Sequence, residues 1–122
     1  MNFVLVGKGS WGSKLYLNLK KIGNVTKIIR SKNNYKDIDL KNIDWIIIAS
    51  PNNLHYQHVK FFLEKKINVF CEKPLTTNYD LTKKLIKVSK KNKTKLYIDD
   101  IEIFKNKKIV PKKKNYIVRN KF

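Results

Sequence analysis

The chain has 122 residues, 42% of them hydrophobic, which suffices for one globular domain with a proper core but not for a nucleotide domain plus a full substrate domain. No apolar run approaches the ~20 residues of a membrane span, and the stretch from Phe3 to Val6 stops at Gly7, too soon for a secretory signal, so a cytoplasmic protein without a membrane anchor is expected. The net charge of +19 attracts polyanions, yet Lys outnumbers Arg 26 to 2 and Asn and Ile abound, as an AT-rich genome would dictate; a nucleic-acid role is disfavoured.

Cys71 is the only cysteine, which excludes an intrachain disulfide and any CxxC site. His55 and His58 lack further clustered ligands, so no metal site is expected.

In chain order, the opening residues form an apolar strand that runs into the glycine-rich turn Gly7-Lys8-Gly9-Ser10-Trp11-Gly12. Gly7 suits a tight turn, Gly9 lets backbone approach a diphosphate, and Gly12 allows close packing of helix on strand. Amides opening the next helix would then face the anion. Trp11, Leu15, Leu19 and Ile22 recur at helical spacing, with Gly23 as the stop, and a second strand is predicted over 25–30.

An acid at the end of that strand would accept from the adenosine ribose 2′-hydroxyl; here the residues are Arg30, Ser31 and Lys32. They suit a 2′-phosphate instead, which favours NADP over NAD. A basic loop in a basic protein is the alternative reading of the same three residues.

Between residues 35 and 43 there is room only for a short crossover. The apolar run over 44–50 reads as a central strand buried on both faces, ended by Pro51, with Asn52 or Asn53 placed to cap a helix whose His55, Val59 and Phe62 share a face. Another buried strand is predicted over 67–71. Thr77 or Asn78 can cap a further helix with Asp80 in its first turn and Leu81, Leu85 and Val88 inward. Strands over 96–100 and 101–104 are expected next, and then a basic tail over 105–122 with a short apolar stretch at 116–118 that suits a small strand pair. The pattern predicts an α/β fold: a Rossmann-like doubly wound parallel sheet over 1–104 as a single domain.

Three segments, Gly7-Lys8-Gly9-Ser10-Trp11-Gly12, Ala49-Ser50-Pro51-Asn52-Asn53-Leu54-His55 and Cys71-Glu72-Lys73-Pro74-Leu75, resemble in order and spacing the signature of the Gfo/Idh/MocA oxidoreductases, NAD(P)-dependent sugar or cyclitol dehydrogenases. The resemblance implies that Gly7, Gly9, Ser10, Trp11 and Gly12 hold the pyrophosphate and that Arg30 and Ser31 meet the adenosine ribose. Ser50, Pro51, Asn52 and His55 would line the cofactor cleft, with Glu72, Lys73 and Pro74 near the nicotinamide. Lys73 would be the catalytic residue, its ammonium hydrogen-bonding the substrate hydroxyl.

In that family a second α/β domain holds the substrate and makes the oligomer interface, and no stretch after Phe104 is long enough to encode it. The expectation is a dinucleotide-binding protein for a small sugar-like substrate, completed by homodimerisation or a partner chain. A non-catalytic nucleotide-binding or regulatory module, or a basic polyanion-binding protein on the same fold, is the alternative. Asp99 and Asp100 stand at the strand end with no identifiable catalytic partner.

Overall fold

The computed structural model describes residues 1–30 and 34–99, and the backbone of a strand at 116–119. Strands β1 (Asn2–Val6), β2 (Asn24–Ile29), β3 (Trp45–Ile48), β4 (Asn68–Glu72), β5 (Leu96–Asp99) and β6 (Tyr116–Arg119) form one sheet. All five neighbouring pairs are parallel, in the order β2-β1-β3-β4-β5-β6. Helix α1 (Ser10–Ile22) lies against β1 and β2, while α2 (His55–Glu64) packs on β3 and β4 and against α3 (Tyr79–Lys91). The doubly wound Rossmann-like arrangement expected from the sequence is therefore present.

Strand β3 is apolar throughout because side chains alternate between two dry layers. Ile46 and Ile48 face Val4, Val59, Phe62, Leu63 and Val69 on the α2 side, and Ile47 joins Phe3, Leu5, Leu19 and Phe70 on the α1 side. Of the four apolar residues at helical spacing in α1, only Leu15 and Leu19 join that core. Trp11 and Ile22 stay exposed, at 44% and 55%.

Of the two candidates, Thr77 and Asn78, it is Asn78 that caps α3, its side chain accepting from the backbone N–H groups of Asp80 and Leu81 at 2.8 and 3.4 Å. Capping of α2 by Asn52 or Asn53 does not occur. Those residues form a 3-10 turn with Leu54, and the residue preceding α2 is Leu54, with no side-chain cap. Pro51 directs this outcome, because its carbonyl accepts from Leu54 N–H and closes the shorter turn first. Gly23 ends α1 in extended backbone, and its need for glycine is contact: a Cβ there would strike the Met1 carbonyl oxygen and the Phe3 ring.

Among the described residues, the crossover between β2 and β3 contains one 3-10 turn, Tyr35–Asp37. Residues 116–119, read from sequence as part of a tail, form β6 beside β5. The strand expected over 101–104, Asp100 and the rest of the basic tail lie outside the described residues. No helix among the described residues is long and apolar enough to cross a membrane, and none of their His, Cys, Asp and Glu side chains group in threes to hold a metal.

Candidate dinucleotide site

From β1 the chain turns one way to β2, and from β3 it turns the other way to β4, so a crevice opens beyond the carboxyl ends of β1 and β3. A cavity of about 560 Å³ occupies it. Gly7, Gly9, Ser10, Trp11 and Gly12 form its floor on one side, Ser50 and Pro51 face them, and Arg30 stands at the end of β2. Lys8 and Ala49 complete the lining.

Each glycine of the turn has a different reason. Gly7 has φ +93°, and a Cβ on it would lie 2.6 Å from both the Ala49 carbonyl oxygen and the Ser50 amide nitrogen. Gly12 has the Gly7 carbonyl oxygen where a Cβ would project. Gly9 has open space, with nothing within 4 Å of a built Cβ. Two glycines thus make the turn, and the third leaves room beside the cavity.

The first α-helical bond of α1 runs from Ser13 N–H to Gly9 O at 2.9 Å, so the amides of Ser10, Trp11 and Gly12 precede it. Gly9 has no side chain to cap them, and the first turn of α1 contains no acid. A 13-residue helix therefore presents the positive end of its dipole, with uncapped donors, to the cavity. The fit to a dinucleotide diphosphate lies in this chemistry: donors without a local acceptor and a floor from which side chains are excluded.

Behind the cavity wall, His55 is 1% exposed and does not present its ring to the cavity. Its Nδ1 lies 2.6 Å from the Pro74 carbonyl oxygen and its Nε2 lies 2.8 Å from that of Ser50. Both partners accept only, so a neutral ring donates to one of them at a time. His58 Nδ1 lies 2.8 Å from Ser50 Oγ, and burial, then the nearby His55, lowers its pKa to about 4. Ser50 is thereby fixed from two sides.

Asn52 is exposed on the turn beyond Pro51, and Lys73 and Pro74 are exposed beyond β4, joined to the cavity wall through His55. Glu72 is buried at the end of β4, and that burial, as the largest cause, raises its pKa to about 7. Ser31 and Lys32 lie outside the described residues. Reading the sequence missed Lys8 and Ala49 as lining, although both flank signature residues. It also missed a partner for Asp99, which lies in register with Glu72 on the neighbouring strand.

The family model for oxidoreductases with an NAD-binding Rossmann fold, Gfo/Idh/MocA, matches residues 18–99, a span that starts after the glycine turn. The chain is 44% identical over 55 residues to the uncharacterized oxidoreductase YgjR of Escherichia coli, covering 45% of this chain and 17% of that protein. It is 28% identical over 107 residues to the 2,7-anhydro-N-acetylneuraminate hydratase of the same organism, covering 74% of this chain and 29% of that one. Among solved structures, a probable dehydrogenase from Thermotoga maritima superposes with a TM-score of 0.73 at 25% identity, over 80% of this chain and 35% of its own. The chain thus spans less than a third of the length of these curated relatives. With its sheet order, its glycine turn and this match over two thirds of its length, the chain belongs to the Gfo/Idh/MocA oxidoreductase family.

Proposed function

We propose that the chain binds a nicotinamide dinucleotide, NADP in preference to NAD, with the diphosphate over the amino end of α1, as the nucleotide-binding part of a cytoplasmic dehydrogenase for a sugar-like alcohol. The observation that carries this reading is the uncapped, acid-free start of α1 over a glycine floor. Arg30, at the cavity edge, supports the NADP preference as a cation able to meet a 2′-phosphate, with Ser31 and Lys32 beside it in sequence. Asn52 borders the cleft, and Glu72, Lys73 and Pro74 form its nicotinamide end.

When bound, the nicotinamide supplies hydride exchange. Lys73 would hold the substrate hydroxyl and steady the charge on its oxygen as hydride leaves. The wall opposite the nicotinamide comes, in this reading, from a second copy of the chain or from another polypeptide. A sugar-like substrate accords with the name of one relative, the 2,7-anhydro-N-acetylneuraminate hydratase. Buried Cys71 suits a reducing compartment, because it is a free thiol.

Fluorescence titration with NADPH and NADH tests the reading. Saturable binding with NADPH preferred is expected, and Arg30→Ala should weaken NADPH selectively. Absence of binding to either would sink it. Equal losses for both cofactors in Arg30→Ala would remove the NADP preference alone. Lys73→Ala should keep the dinucleotide and lose turnover with sugar alcohols; a protein that binds but never turns over is the regulatory module.

A further inference from the structure

His55 opens α2 with its ring buried, and both ring nitrogens face peptide oxygens: Nδ1 lies 2.6 Å from that of Pro74 and Nε2 2.8 Å from that of Ser50. A carbonyl oxygen only accepts, so each contact is a hydrogen bond only if its nitrogen carries a proton. A neutral imidazole has one N–H. Its other nitrogen would turn a lone pair toward an oxygen lone pair at hydrogen-bond distance, with no room for water between them. Both separations also fall at the short end of the range for N–H···O bonds, where charged donors are found. A buried cation is costly unless each of its donors has a partner; an imidazolium has two donors, and both are used here.

The two oxygens belong to different connections of the sheet. Ser50 lines the cavity just after β3, and Pro74 follows Lys73 on the turn after β4. Ser50 is held a second time, through its Oγ, by His58 Nδ1 at 2.8 Å. A ring that lost one proton would therefore keep Ser50 in place.

We propose that His55 is an imidazolium near neutral pH, a buried cation that donates to both carbonyls at once and so clamps the turn carrying Lys73 to the cavity wall; when the proton leaves, the Pro74 contact is the one that opens. The clamp stands on this geometry, whereas its use, holding Lys73 at the nicotinamide end, rests on the dinucleotide reading above. His55 is a positioning residue: it acts through Ser50 and Pro74 and need not touch a ligand.

The charges around the ring divide. On α2, His58 has its pKa lowered to about 4, by burial first and then by His55, and stays neutral near pH 7. Glu72, two residues before Pro74, has its pKa raised to about 7, by burial first, so near neutrality it is partly an anion and favours a cation on His55. Asp99 stands in register with it on β5. Cys71 adds no charge, because burial keeps its thiol protonated. Lys73 on the turn, Lys8 and Arg30 along the cavity and the amino end of α2 oppose the imidazolium. Those side-chain cations reach solvent and are screened, whereas the two carbonyl dipoles touch the ring, so the contact decides.

Nitrogen NMR of the His55 ring in the full chain without ligand, near pH 7, is the test. Two ring nitrogens, each coupled to its own proton, are expected; one bare nitrogen overturns the proposal. Amide relaxation of Lys73 reads the clamp. An order parameter near about 0.85 is expected in wild type, and His55→Gln, which offers an amide donor to one carbonyl and no charge, should lower it toward about 0.6. An unchanged value in His55→Gln whose circular dichroism matches wild type overturns the clamp. If that variant does not fold, wild type decides: on raising the pH, the Lys73 order parameter should fall at the same midpoint at which His55 loses a ring proton, and separate midpoints overturn the coupling. Glu72→Gln should keep the transition, and its disappearance would assign the motion to Glu72 instead. Calorimetry with NAD separates the two readings, because two ring protons in a chain that binds no NAD uphold the clamp and overturn the cofactor reading alone.

Discussion

Gly12 packs against the carbonyl oxygen of Gly7 so closely that no side chain fits between them. The start of α1 is thereby held against the end of β1, and the amides that face the cavity are set by backbone contact rather than by a flexible side chain.

A glycine series separates folding from binding. Gly7→Ala and Gly12→Ala should each cost about 2–4 kcal/mol of stability, through positive φ in the first case and backbone overlap in both. Gly9→Ala should leave the denaturation midpoint within about 0.5 kcal/mol of wild type, because its Cβ meets nothing. It should nevertheless weaken the dinucleotide at least several-fold. Urea melts and fluorescence titration on the three variants read both quantities.

His55→Ala should destabilise the fold by about 2–4 kcal/mol, since it empties a buried site and removes the ring that stands between the Pro74 and Ser50 carbonyl oxygens. If His55 were a surface contact to the cofactor instead, the loss would appear in binding with the melt unchanged.

The pH dependence of stability has two opposing parts. His58 has a folded pKa of about 4 against 6.5 unfolded, so its contribution is present above pH 6.5 and lost as pH falls through 4. Glu72 has a folded pKa of about 7 against 4.5 unfolded; its contribution is full below pH 4.5 and lost as pH rises through 7. Between 4.5 and 6.5 the two slopes oppose each other. Relative to wild type, Glu72→Gln should gain stability from pH 5 to pH 8, and His58→Gln should gain it as pH drops from 6.5 to 4. Denaturant midpoints across that range check the signs.

Cys71 is fully buried, and burial followed by the nearby Glu72 charge pushes its thiol pKa up. The folded protein should react with a thiol reagent orders of magnitude more slowly than the urea-unfolded chain. Rapid labelling of native protein would show that the end of β4 opens readily.

Much of this architecture was legible in the chain because hydrophobic periodicity reports layers directly. The unbroken run at Trp45-Ile46-Ile47-Ile48 could only be a strand covered on both faces, and the Asn78 cap of α3 was visible from its side chain and Asp80. Local competition was harder to read: Pro51 closed a short turn before either asparagine could cap α2. Within the site, the glycines were legible because their roles are backbone roles. His55 was readable as important but not as buried, since a histidine on an apolar helix face suits a cleft and a core equally. The Glu72 and Asp99 pair was invisible because strand register joins residues 27 positions apart, and no spacing rule in one sequence encodes that.

A single imidazole, His55, spans the peptide carbonyls of Ser50 and Pro74, which come from different sheet connections. The turn carrying Lys73 consequently cannot swing independently of the β3 end, and its amides should exchange with deuterium on the timescale of the central strands rather than of an exposed hinge. Arriving ligands meet a rigid rim whose shape was already decided when the core closed.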